Sequence, residues 1–144
     1  HVMARRQRQM CIRDRNKAKS LGCNEVVMHR DGFMTEAGAS NVFYINEKGQ
    51  VRTSALSENI LPGITRSILI DALRDTPYRV KEGSCSIKDF NDSPCIWLTS
   101  STKGLLPLTH LIDTDYKLQE NYLGFLDIVE LFNAAMQLHL ATSK

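Results

Sequence analysis

At 144 residues, with 42% hydrophobic and 24% charged side chains, the chain has room for one domain with a real core and not for two large ones. No apolar run approaches the roughly 18 residues a membrane span needs, and charges occupy the N-terminus where a signal peptide needs an apolar stretch, so a cytoplasmic protein with no membrane partner is expected. Cys11, Cys23, Cys85 and Cys95 show no CxxC spacing and no histidine in ligand register, which argues against a metal and for reduced, mostly buried thiols.

The net charge of +2 is unevenly spread. Residues 1–15 hold Arg5, Arg6, Arg8, Arg13 and Arg15 against Asp14 alone, a balance of +4 that leaves −2 for residues 16–144. Such an arm can tether a protein to nucleic acid or a membrane surface. Another origin fits better: Arg5 to Asp14 is what CGT CGG CAG CGT CAG ATG TGT ATA AGA GAC encodes, a run resembling a transposase-type sequencing-library adapter. Residues 1–15 are therefore expected not to be native, with the natural polypeptide continuous from near Asn16 and no nucleic-acid partner.

From there, Asn16 to Leu21 reads as a helix tail closed by Gly22, and Glu25 to His29 as a strand. Asp31-Gly32 is a tight-turn pair leading back into Phe33–Thr35. The small residues of Glu36–Asn41 precede a strand at Val42–Ile45. A polar turn at 47–50 follows, and Val51–Thr53 resumes the sheet. Tyr78–Glu82 alternates like a strand with one wet face, Ser86–Phe90 has length for one helical turn, and Cys95–Leu98 is a buried strand ending in the hydroxyl cluster Thr99–Thr102. Tyr122–Leu140 is predicted as a long helix docked through Leu123, Leu126, Val129, Phe132, Met136, His139 and Leu140. Strands alternating with single helices give an α+β or mixed α/β fold.

The stretch Asn59–Arg66 runs into a helix to Arg74 in which Ile64, Leu69 and Leu73 recur. Pro62 presets φ, and Gly63 permits close approach of the backbone. The first N–H groups of that helix suit an anion, with the Thr65 hydroxyl as a further donor. Such starts also occur for purely structural reasons.

Three motifs stand in a fixed order: Thr35 to Phe43 (TEAGASNVF), Ile60 to Arg66 (ILPGITR) and Leu98 to Leu108 (LTSSTKGLLPL). Together they resemble the fold-type IV pyridoxal-phosphate-dependent aminotransferases, a group spanning branched-chain and D-amino-acid aminotransferases and aminodeoxychorismate lyase, over residues 16–112. The resemblance implies that residues 16–144 are the larger C-terminal domain of a two-domain enzyme. It would be a mixed sheet or pseudo-barrel with flanking helices, its N-terminal domain missing. It also implies pyridoxal 5'-phosphate as cofactor, amino-acid and 2-oxo-acid substrates, and a homodimer for the intact parent.

Carried over by that resemblance, Glu36 is the carboxylate that keeps the pyridine nitrogen protonated, and Leu61 packs on the ring. Ile64 and Thr65 serve the phosphate. Ser101 and Thr102 belong to a hydroxyl motif in which one residue holds the phosphate and its neighbour presents backbone to the substrate carboxylate. Ser40 and Asn41 order the pocket. His29, His110 and His139 match no catalytic position. The family's Schiff-base lysine, both covalent anchor and general base, belongs roughly thirty-odd residues before the glutamate, which falls near Val2 to Ala4. No lysine precedes Lys17. The expectation is a chain without a catalytic lysine and without transaminase activity, derived from an active parent. The alternatives are a lyase of the aminodeoxychorismate type, a non-catalytic relative that lost the lysine, and a nucleic-acid binder resting on the basic arm alone.

Overall fold

A computed structural model describes residues 2–6, 25–37, 40–56, 60, 62–101, 104–110, 116, 118 and 122–142, with only the backbone described at 2–6, 25, 26, 28, 30 and 35–37. β1 (Val2–Arg6), β2 (Glu25–Arg30) and β3 (Phe33–Ala37) form a small sheet in that order. β1 runs parallel to β2, and β2 antiparallel to β3. The larger sheet has the order β6-β5-β4-β7-β8. Its strands are β4 (Asn41–Ile45), β5 (Val51–Ser54), β6 (Lys81–Gly83), β7 (Cys95–Ser100) and β8 (Gly104–Pro107). Three helices accompany them: α1 (Ile64–Leu73), the single turn α2 (Ile87–Asn91) and α3 (Leu123–Thr142).

Turn chemistry explains the hairpins. Asp31 and Gly32 both take positive φ, 53° and 82°, as a two-residue turn matched to strand twist requires. Between β4 and β5 the Asn46 side chain accepts from the backbone N–H of Lys48 and of Gln50, closing the polar loop. β5 and β6 are parallel neighbours, so a crossover must join them; it contains α1. That connection brings the chain from the carboxyl end of β5 into the N-terminus of α1.

The central strands are apolar throughout because both faces are covered. Val42, Tyr44, Ile96 and Leu98 share one core with Val27, Met34 and Phe90 from the small sheet and α2. Phe43, Ile45, Cys95 and Trp97 point the other way, into a second core with Leu69 and Leu73 of α1 and Phe125, Ile128 and Phe132 of α3. Trp97 stacks on Phe43 at 5.7 Å and meets the Phe125 ring at 5.3 Å. The result is three layers: the small sheet with α2, the large sheet, and α1 with α3.

Several expectations change. On α3, Phe132 is buried and Val129 and Met136 pack against the same core as expected, but its other buried residues are Phe125 and Ile128, while Leu123 and Leu126 are 75% and 47% exposed and Leu140 also faces out. The helix is apolar on more than one stripe, and Trp97 selects the aromatic one. In α1, Ile64 is 69% exposed, and the inward face is Arg66, Leu69 and Leu73. Tyr78–Glu82 is not one strand: Tyr78 N–H donates to the Thr76 hydroxyl and Arg79 N–H to the Thr76 carbonyl, so the chain turns there and β6 starts only at Lys81. β1 adds a strand that the sequence reading did not contain, and the helix tail at Asn16–Leu21 lies outside the described residues. Cys85 and Cys95 are free and buried. Among the described residues no helix is long and apolar enough to cross a membrane, and no His/Cys/Asp/Glu group is placed to hold a metal.

Candidate functional site

The site grows from the way α1 meets the sheet. Gly63 is its N-cap, in extended backbone with φ −75°; glycine brings no side chain of its own to cap the helix, and no acidic residue stands in the first turn. The first amides therefore lack the acidic partner that helix starts often carry. Gly63 is needed for its size rather than its φ: a Cβ there would stand 2.5 Å from Asn41 Oδ1. Asn41, 5% exposed, opens β4 and lies opposite Thr99 of β7. Side-chain alternation puts Thr99 on the same sheet face as Cys95 and Trp97, the face that α1 covers. Its hydroxyl is buried without a hydrogen-bond partner.

The two residues after Ile64 tie this turn sideways. Thr65, 4% exposed, donates its hydroxyl to the Ser100 carbonyl at 3.1 Å, at the end of β7. That proton is committed, so at this position the donor toward an anion is the backbone amide rather than the side chain. Arg66, also 4% exposed, reaches the other way, donating from Nη2 to Ser54 O at 3.0 Å and to Glu82 Oε1 at 2.6 Å. Ser54 in turn donates its hydroxyl to Met34 O at 2.6 Å, two residues before Glu36 on β3. β4 lies between β5 and β7. The start of α1 is thus centred over the head of β4 and anchored on both sides.

The sequence-predicted residues distribute as follows. Asn41, Ile64 and Thr65 come together at the α1 start, and the exposed Ser101 directly follows Ser100, whose carbonyl takes the Thr65 hydroxyl. Ser40, half-buried, leads into β4 beside Asn41. Glu36 sits on β3, one strand removed from that region through Met34 and Ser54, and only its backbone is described. Leu61 and Thr102 lie outside the described residues. Sequence reasoning missed Thr99 and Arg66. Both were legible by parity: Thr99 alternates with Cys95 and Trp97, and Arg66 precedes Leu69 and Leu73 by three and seven residues.

The family model for amino-transferase class IV matches residues 5–111. The chain belongs to the class IV aminotransferase family. Among its relatives in that family, it is 34% identical over 97 residues to a D-alanine aminotransferase of Listeria monocytogenes, covering 67% of this chain and 33% of that protein. The class IV chain thus spans about a third of that relative's length. Its fold is that of a fold IV transaminase from Curtobacterium pusillum, with TM-score 0.78 at 23% identity over 96% of this chain and 53% of the other. An aminotransferase from Brucella abortus, solved with PLP bound, superposes with TM-score 0.71 at 26% identity, covering 81% of this chain and 41% of its own.

Proposed function

We propose that the chain is the cofactor-carrying portion of a pyridoxal-phosphate-dependent aminotransferase that moves an amino group from an amino acid, D-alanine or a branched-chain type, to a 2-oxo acid. The observation that most supports this is the approach of Gly63 to Asn41, which brings a helix start with no acidic residue in its first turn onto the head of β4 beside a buried, unpartnered Thr99 hydroxyl. Helix amides with no acidic residue in their own first turn fit the phosphate end of that cofactor. When bound, its ring supplies the electron sink that transamination requires.

On this reading the amides of Ile64 and Thr65 hold the phosphate, with Ser101 adding a hydroxyl from the turn after β7. Ser40 and Asn41 fix the wall of the pocket, Leu61 packs on the ring, and the Thr102 backbone meets the substrate carboxylate. Glu36 holds a proton on the ring nitrogen by its negative charge. The intact parent is proposed to be a cytoplasmic homodimer, and residues 1–15 an adapter translation. Because no lysine precedes Lys17, the 144 residues alone are proposed not to turn substrate over.

The parent, recovered with an unbroken upstream reading frame, should form glutamate from D-alanine or a branched-chain amino acid with 2-oxoglutarate. Pyruvate release from aminodeoxychorismate in its place would make it a lyase, and neither reaction would make it a non-catalytic relative. For residues 1–144, borohydride trapping of pyridoxal phosphate on one specific lysine would refute the proposed inactivity.

A further inference from the structure

Arg66 is chemically misplaced as an ordinary helix residue. A cation in the first turn opposes the helix dipole, and taking a guanidinium to 4% exposure is costly unless it is well paired. The pairing it finds is partial: Glu82, its ion partner, has a side chain 42% exposed, and Arg66 Nε is buried with no partner. A leucine or methionine would fill the same inward position beside Leu69 and Leu73 at lower electrostatic cost. What the arginine adds is connection. One nitrogen joins the first turn of α1 to the end of β5 through Ser54 O and to β6 through Glu82. Ser54 then passes the connection across to the small sheet at Met34 O. On the far side of β4, Thr65 makes the matching tie to Ser100 of β7.

We propose that Arg66, held by Glu82, is a positioning residue for the anion-binding turn. It fixes where the amides after Gly63 stand relative to β3, and so sets the span that a ligand touching both must bridge. The inference rests on the reading that a phosphate binds at this turn. Arg66 does not touch the ligand; it acts through the backbone of its own turn.

A simple charge effect makes the opposite forecast for one variant. Glu82→Gln removes a negative charge next to Arg66 and leaves the site more positive, so a field effect tightens anion binding. Positioning weakens it, because the ion pair becomes a weaker bond from the guanidinium to a neutral amide oxygen. The probe is pyridoxine 5'-phosphate, which has no aldehyde and needs no lysine, titrated into residues 1–144 by calorimetry with phosphate-free pyridoxine as control. Wild type should prefer the phosphorylated probe. Glu82→Gln should weaken that probe about fivefold to tenfold with little change for pyridoxine, and Arg66→Gln should weaken it more. Tighter or unchanged binding in Glu82→Gln overturns the proposal, even if Arg66→Gln fails to fold. A wild type that binds both probes equally overturns the phosphate reading and this inference with it. Wild-type preference that survives in both variants overturns the inference alone.

Discussion

Replacing Gly63 with alanine isolates the contact on which the site geometry depends. Backbone angles of −75° and 144° are open to alanine, so no conformational strain enters. The new Cβ would lie 2.5 Å from Asn41 Oδ1, where ordinary contact begins at 3.4 Å, a shortfall of 0.9 Å. Asn41 is 5% exposed and cannot simply swing into water. Reduced unfolded-state freedom returns roughly 0.4–1 kcal/mol. Alanine's poorer capping takes back a similar amount, of order 1 kcal/mol or less. The overpacking term of about 1–3 kcal/mol is then left as the net destabilisation. In an Asn41→Ala background the obstructing oxygen is gone, so the same substitution should cost little, giving a coupling of about 1 kcal/mol or more. Urea unfolding followed by the emission of Trp97, the sole tryptophan, measures all four proteins. Additivity of the two single substitutions within roughly 0.5 kcal/mol would refute the close approach.

Other consequences are open to measurement. Phe125→Ala should cost about 3–5 kcal/mol in the same unfolding assay and Leu126→Ala less than about 1 kcal/mol, and equal losses would place the docked face of α3 elsewhere. Tyr44→Phe removes a hydroxyl donated to Asp89 Oδ2 at 2.7 Å and should cost about 1.5–3 kcal/mol, with full stability in the variant counting against that bond. Burial pushes the Cys95 thiol up to about 12 from its usual 9.0. A folded value above the unfolded one gives stability that is intact below pH 9 and lost as pH rises toward 12. Cys95→Ala should therefore flatten part of the alkaline decline in a pH series of melts. An unchanged slope would show that Cys95 is not shielded.

Much of the fold could be read from local chemistry. Asp31-Gly32 names its turn, and the uninterrupted apolar run Cys95–Leu98 announces a strand covered on both sides. What failed were choices made by distant partners. Leu123 and Leu126 fit a helical stripe with Phe132 as well as Phe125 and Ile128 do; the ring of Trp97 decides between them. Tyr78–Glu82 alternates correctly, yet Thr76 captures the backbone at Tyr78 and delays β6. In the site, the glycine at 63 signalled that something comes close, but that the neighbour is Asn41 depends on how β4 and α1 meet. The Thr65 hydroxyl looked like a free donor because nothing nearby in sequence hints at Ser100 O. Arg66 shares the helical spacing of Leu69 and Leu73, but its charge outweighed that signal, since a charged residue in a first turn is normally assigned to solvent.

β4 contributes Val42 and Tyr44 to one core and Phe43 and Ile45 to the other. Slipping its pairing by a single residue would exchange those sets in both layers at once, so the strand acts as a keystone, and neither layer can loosen independently. Melting should consequently be a single event for the whole assembly. The start of α1 and the strand bearing Glu36 would be lost together at that point, with no stage at which one stands while the other has gone.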